Sequence, residues 1–269
     1  FEVRDIWPLS AVELGSLSES NPFIRFLAYV ERYAYQKAYK VISLLPEAKE
    51  HFLSKGMEPD KFIYLPNGID KDELEGQSPD RSYLSQIPEN KFIVGYTGAF
   101  GIANNLHVFV EAARKIESNG AIHFVLVGDG PERAKLVEMT KKLENVSILN
   151  PVPKKELQAV LKSFDACYIG LKKSTLFRFG VSPNKIFDYM AAKKPVIYAV
   201  EAGNDFVKDA NCGLSIEAGS SDAITEAVIS LFNTEASELK QMGENAYHYL
   251  MNNHDNEVLA SRFLDLINS

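Results

Sequence analysis

The chain has 269 residues, 46% of them hydrophobic and 24% charged, and carries a formal net charge of −7. That balance suits one large or two medium globular domains, and no basic stripe is dense enough to suggest a nucleic-acid partner. No apolar run approaches the length of a bilayer span, and no signal-peptide pattern follows Phe1.

In chain order, Phe1 to Trp7 reads as a strand that ends at Pro8. Asn21-Pro22 opens a helix of about twenty residues with Phe23, Phe26, Leu27, Val30, Tyr33 and Ala34 on one face. Val41 to Leu45 is a short strand, Pro46 opens a helix through Ser54, and Phe62 to Leu65 is a strand followed by the turn Pro66-Asn67-Gly68-Ile69-Asp70. Residues 71–90 are polar and turn-rich and form the best candidate linker. The expected organisation is therefore a first unit over 1–70, the linker, a second unit over 91–250, and a closing helix over 251–269. The chain enters a strand-like run without an initiator Met, and so reads as a fragment.

Beyond Lys91 the pattern becomes regular. Strands at 92–97, 122–128, 146–149, 166–171, 195–200 and 213–217 alternate with helices near 104–117, 131–144, 154–164, 183–192, 204–210 and 221–232. Such alternation predicts an α/β fold with a doubly wound parallel sheet. Cys167 and Cys212 lack metal-ligand spacing and read as reduced thiols of a cytoplasmic protein.

The stretch from Leu171 to Val200 carries the chemistry. Ser182-Pro183-Asn184-Lys185 has the grammar of a helix start, with Ser182 as N-cap and Pro183 at the first helical position. Such a start points free N–H groups and the positive dipole end into the crevice above the sheet, where open α/β sheets bind ligands. Lys172, Lys173, Arg178 and Lys185 surround it, so a diphosphate is the expected ligand; Asp188, one turn on, is placed to accept the two hydroxyls of a ribose. A solvated basic loop ahead of an ordinary amphipathic helix fits the same spacing.

Two glycine loops sit at strand ends. Gly95-Tyr96-Thr97-Gly98-Ala99-Phe100-Gly101 would let backbone amides approach a phosphate closely. Gly128-Asp129-Gly130-Pro131-Glu132 has a structural reading, a turn followed by a helix start.

The order RDIWP (4–8), ER (31–32), LPNGID (65–70), GYTGAFG (95–101), VGDGPE (127–132), NPVPKKEL (150–157) and SPNKIFDYMAAKKPVI (182–197) resembles the retaining, nucleotide-sugar-dependent glycosyltransferases of the GT-B fold, family 4. Among these it is most similar to bacterial cell-surface polysaccharide enzymes of the N-acetyl-6-deoxyhexosamine transferase kind. The resemblance implies two Rossmann-like domains facing a cleft: a complete C-terminal, nucleotide-binding domain here, and only the tail of the N-terminal, acceptor-side domain. It implies a UDP-sugar donor, a lipid-linked or saccharide acceptor, and a cytoplasmic location at the inner membrane face, with peripheral membrane association through the missing N-terminal part.

Residue by residue, Asp188 matches the second of the family's paired glutamates, which bind the ribose, while the first would fall at Gly180, which cannot serve. Pro151-Val152-Pro153 matches the segment whose backbone reads the base. The family's Arg and Lys after the first strand of this domain are absent from Thr97 to Ala103, which leaves the diphosphate to Lys172, Lys185 or Arg178. The expected donor-nucleotide set is thus Asp188, Lys185, Asn184, Ser182, Lys172, Arg178, Thr97, Gly98 and Val152. No cofactor is expected, and no closely spaced pair of aspartates suggests a metal. No residue is a convincing nucleophile, so retention rests on the resemblance. A nucleotide-sugar epimerase and a nucleotide-binding module without activity are the two alternatives.

Overall fold

Short β-rich runs build a small sheet at the start of the chain. In the computed structural model, which describes residues 1–269 apart from Leu14, Ser16, Glu75, Gly76 and Ser269, β1 (Glu2–Val3) is followed by helices α1 (Leu9–Glu13) and α2 (Pro22–Lys37). Then come β2 (Val41–Ser43), α3 (Lys49–Ser54) and β3 (Phe62–Tyr64), and the three strands pair in parallel in the order β1-β2-β3. The first strand is shorter than the 1–7 run expected, because the chain turns back on itself where Trp7 N–H donates to Asp5 O at 3.0 Å.

Helix α2 starts as expected, with Asn21 Oδ1 accepting from Phe23 N–H at 2.9 Å. Its faces differ from the pattern reading. Phe23, Phe26, Val30 and Tyr33 are exposed, while Ile24, Glu31 and Tyr35 point inward. The buried Glu31 carboxylate meets His51 Nε2 at 3.0 Å and Lys55 Nζ at 3.9 Å, so the inward face is held partly by charge.

The segment 71–90 contains α4 (Arg81–Leu84) and packs on the larger unit: Ile87 is buried there, and Tyr83 Oη donates to Asn150 O at 2.6 Å. Strands β4 (Phe92–Ala99), β5 (Ile122–Asp129) and β6 (Val146–Leu149) alternate with α5 (Leu106–Lys115) and α6 (Arg133–Thr140). Next come α7 (Lys154–Lys162), β7 (Ala166–Gly170), α8 (Asn184–Ala191), β8 (Val196–Ala199), α9 (Phe206–Ala210) and β9 (Gly213–Ser215). All six strands run parallel in the order β6-β5-β4-β7-β8-β9.

Both faces of this sheet are covered, as a parallel sheet requires. Val125, Val127, Cys167, Ile169, Val196 and Tyr198 face one core, with buried residues of α7, α8 and α9. Their neighbours Phe124, Leu126, Ala166, Tyr168, Ile197 and Ala199 face the other, with α5 and α10 (Ser221–Phe232). The chain winds outward one way through β4, β5 and β6, then the other way from β7. The β4/β7 boundary is therefore the switch point at which open α/β sheets form a crevice.

Two helices end the chain, α11 (Ala236–Asn253) and α12 (Asn256–Asn268). Their junction returns to the first unit: Asp255 bridges Ile69, Ile69 N–H donates to His254 O at 2.8 Å, and Asn256 N–H donates to Ile69 O at 3.0 Å.

Candidate functional site

A cleft of about 370 Å³ opens at the C-terminal ends of β4 and β5, walled by Thr97 and Gly98, Gly128 and Asp129, and the loop Pro151-Val152. Lys154 from α7 and Lys185 and Asp188 from α8 close the remaining side. Two glycines let the strand ends approach. Gly98 adopts φ +126, and Gly128, its register partner on β5, lies so near that a Cβ there would stand 1.9 Å from Gly98 O.

Lys185 stands in the first turn of α8. Its Nζ donates to Tyr96 Oη at 2.5 Å and to Asn104 Oδ1 at 3.4 Å, and lies 4.0 Å from the centroid of the Tyr96 ring. Tyr96 Oη donates in turn to Ala99 O at 2.7 Å. Both acceptors of the ammonium are neutral, and burial pulls its pKa down to about 7. A cation held by neutral groups beside a helix N-terminus is arranged to receive an anion.

Asp188 follows one turn later, 6% exposed. Its Oδ1 accepts a short hydrogen bond from Lys154 Nζ, and Gln158 Nε2 donates to its backbone carbonyl at 3.2 Å. The Lys154–Asp188 pair also forms a wall of a second, polar cavity of about 320 Å³, shared with Asn67, Asp70, Asn184 and Asn256.

Not every residue expected from the sequence meets in the cleft. Thr97, Gly98, Val152, Lys185 and Asp188 do. Thr97 is pinned from behind by Tyr189, whose Oη accepts from Thr97 N–H at 2.9 Å. Asn184 faces the second cavity instead. Ser182 is not the N-cap. Pro183 occupies that position with an extended backbone (φ −73, ψ 118) and no side-chain cap bond, so the helix begins at Asn184. Ser182 instead accepts from Asn67 of the first unit, at 3.4 Å through Oγ and 3.0 Å through its carbonyl.

Arg178 also lies elsewhere. Its guanidinium grips both oxygens of Glu13 at 3.0 and 3.2 Å and stacks 4.2 Å from the Phe179 ring. The hydrogen bond from Arg178 holds the Glu13 carboxyl below its ordinary range. Lys172 is exposed; its backbone N–H donates to Ala103 O at 2.9 Å, and its side chain is not among the cleft walls. Lys173, also grouped with the helix start, pairs with Glu201 and Glu217.

Sequence reading missed Lys154, Tyr96 and Asn104. Lys154 leaves one usable signal: it is a cation at a helix start, where the dipole disfavours it unless an anion stands close by. Among the described residues no group of three His, Cys, Asp or Glu side chains converges to hold a metal ion. What the cleft offers is one desolvated cation at a helix start, glycine-lined backbone and a buried carboxylate one turn away. That combination suits an anion joined to a diol.

A family model described as glycosyl transferases group 1 matches residues 91–234, over half of the chain and the whole run from β4 to α10. The chain belongs to that family. Within the glycosyl transferases group 1, it is 26% identical over 163 residues to WcaI of Escherichia coli (strain K12), a protein named as a colanic acid biosynthesis glycosyl transferase. That match covers 56% of this chain and 38% of WcaI, so the chain spans well under half of that relative.

Among solved structures it is similar to Anabaena HepE in complex with UDP, with a TM-score of 0.74 and 16% identity over 99% of this chain and 71% of that one. It is also similar to WaaG, a glycosyltransferase involved in lipopolysaccharide biosynthesis, with a TM-score of 0.69 and 20% identity over 97% and 72% of the two chains. These likenesses show the fold: the α/β, GT-B-like architecture with a parallel Rossmann-like sheet is the one expected from the sequence.

Proposed function

We propose that this group 1 glycosyl transferase binds a nucleotide-sugar donor, a UDP-sugar, in the cleft at the ends of β4 and β5. In the whole protein the sugar then passes, with retention, to a lipid-linked or saccharide acceptor. The observation that carries the reading is the placement of Lys185 and Asp188 one turn apart on α8, both facing the same cleft. A nucleoside diphosphate has its anion and its vicinal diol separated in the matching way. The HepE structures in complex with UDP and with UDP-glucose support the choice of nucleotide.

Cleavage of the donor leaves negative charge on the β-phosphate. Lys185, the free amides of the α8 start and the Gly98 backbone are fixed groups that can stabilise that charge without rearranging, which is how electrostatic catalysis gains most. In this reading the protein supplies the counter-charge that a divalent metal would otherwise bring. Asp188 takes the 2′- and 3′-hydroxyls, and Val152 with its neighbours borders the base. Among the described residues no helix is long and apolar enough to cross a membrane.

Thermal melts with UDP, GDP and ADP at millimolar concentration test the reading. Binding confined to the folded state raises the melting temperature, by about 2.7 kcal/mol of stability at a hundredfold excess over Kd. UDP should give the largest shift, and Asp188→Asn should weaken UDP by about 1.5–3 kcal/mol, the range for hydrogen bonds to a charged group. The absence of any shift with all three nucleotides would overturn the proposal.

A further inference from the structure

The loop that ends β4 carries no cation of its own from Thr97 to Ala103, and the positive side chain above it arrives from α8. Lys185 Nζ stands over Gly98, where an added Cβ would lie 3.2 Å from it. A lysine stem is flexible, and holding its end in one place costs rotamer freedom unless other groups fix it. Here the fixing groups are Tyr96 Oη at 2.5 Å and Asn104 Oδ1 at 3.4 Å.

Both acceptors are oriented by a single backbone atom. The Ala99 carbonyl takes the hydroxyl proton of Tyr96 at 2.7 Å and an amide N–H of Asn104 at 3.0 Å. A tyrosine hydroxyl has one proton, so Tyr96 presents lone pairs to the ammonium. Burial pushes that hydroxyl above its ordinary pKa, and it keeps the proton. An amide whose nitrogen is committed to Ala99 likewise turns its oxygen toward Lys185. The Tyr96 ring adds a third support, with its centroid 4.0 Å from Nζ. An ammonium carries three N–H donors and these two acceptors engage two of them, so the cradle holds the cation without exhausting it.

We propose that Tyr96, seconded by Asn104, is a positioning residue for the donor diphosphate: the pair holds the Lys185 ammonium at the end of β4, where the phosphates are met. The proposal rests on the nucleotide reading of the cleft. Tyr96 is fully buried and acts through Lys185. A charge fixed before the ligand arrives stabilises an anion without rearrangement, which is the advantage of the cradle.

The test uses the full chain, titrated with UDP and with uridine by calorimetry at pH 6. The variants are Tyr96→Phe, Asn104→Ala, Lys185→Met and the double variant Tyr96→Phe/Lys185→Met. Tyr96→Phe keeps the ring and removes the hydroxyl; it should weaken UDP on the order of tenfold and leave uridine unchanged. Asn104→Ala should show the same selectivity with a smaller loss, about threefold, because its hydrogen bond is longer. Asn104 lies on a partly exposed turn, so this variant carries the test even if Tyr96→Phe fails to fold. In the Lys185→Met background Tyr96→Phe should add nothing. Tyr198→Phe is the matched control: its hydroxyl is buried in β8 without a hydrogen-bond partner among the described residues, and its loss should leave both affinities unchanged.

Tighter UDP binding by Tyr96→Phe would mean that the hydroxyl withdraws Lys185 from the ligand, and the proposal fails. It fails equally if UDP affinity is unchanged, if UDP and uridine weaken by the same factor, or if the loss persists in the Lys185→Met background. In each of these cases the parent still binds UDP and the nucleotide reading stands. If the parent binds neither ligand, both fail together.

Discussion

Lys185 shows how one side chain can be costly to the free protein and useful to the bound one. Its pKa in the fold is about 7, below the ordinary lysine value of 10.5, because burial disfavours the charged form. The unfolded chain therefore holds more protons than the folded one between about pH 7 and 10.5, and stability rises with pH across that window. Below pH 7 both states are charged and the full burial cost is present. Lys185→Met should accordingly melt at the same or a higher temperature than the parent at pH 6, and the difference should shrink toward pH 10. For UDP the dependence reverses. Above pH 7 the anion must recruit a proton to Lys185, so affinity should fall by up to about tenfold per pH unit while uridine binding stays level. Titrations at pH 7, 8 and 9 would read this directly, and equal slopes for UDP and uridine would remove Lys185 from the phosphate subsite.

At the scale of elements, the cleft depends on how closely β4 and β5 can end. Gly98 and Gly128 face one another in the ladder, both at positive φ, and a Cβ on Gly98 would come 3.2 Å from Lys185 Nζ. Gly98→Ala should cost about 1–3 kcal/mol from backbone strain at a position L-residues rarely adopt. It should also weaken UDP, because Lys185 is displaced. Gly120→Ala, with open space around it, is the matched control and should leave both the melting temperature and the affinity unchanged.

The elements also show what was readable in advance. Strands β5, β7 and β8 of the large sheet were legible because they are buried along nearly their whole length, so each appears as an apolar run between turn signals. The edge strands β6 and β9 are only partly buried and were legible from their place in the strand–helix alternation. Helix α2 was legible as a helix, but its inward face was not. Periodicity detects an apolar stripe, yet here the aromatic stripe of Phe23, Phe26 and Tyr33 faces solvent while a carboxylate is buried. Ion pairs between distant elements leave even less trace. Arg178 looked available for a phosphate because its partner, Glu13, lies 165 residues away, and Lys154 drew no notice because Asp188 lies on another helix.

For the molecule as a whole, two buried histidines link stability to acid. His254 is 2% exposed, donates its Nδ1–H to Asn67 O at 3.0 Å, and is enclosed by Phe187, Phe206 and Tyr249. Burial lowers its pKa against the opposing effect of the Asn67 carbonyl. His123, inside β5, is pushed down to about 4 by burial and by Lys91. Both pKa values lie below that of an unfolded histidine, so the unfolded chain takes up more protons and stability is lost as the pH falls through about 6.5. Melts at pH 7.5 and pH 5 should show a marked drop, and His123→Gln should reduce the drop. An unchanged drop in that variant would assign the acid sensitivity to other groups.

Two of the contacts that fasten the two units differ chemically. Around Ile69, His254, Asp255 and Asn256 the fastening is backbone hydrogen bonding, closed by residues that are largely shielded from water. Between Glu13 and Arg178 it is an ion pair whose guanidinium side is 48% exposed. Dissolved ions weaken the second more than the first, since a partly exposed ion pair is screened by salt while backbone hydrogen bonds join groups without net charge. Salt concentration therefore acts as a selective solvent lever on this protein, slackening the Glu13 clasp while the Ile69 seam keeps its register.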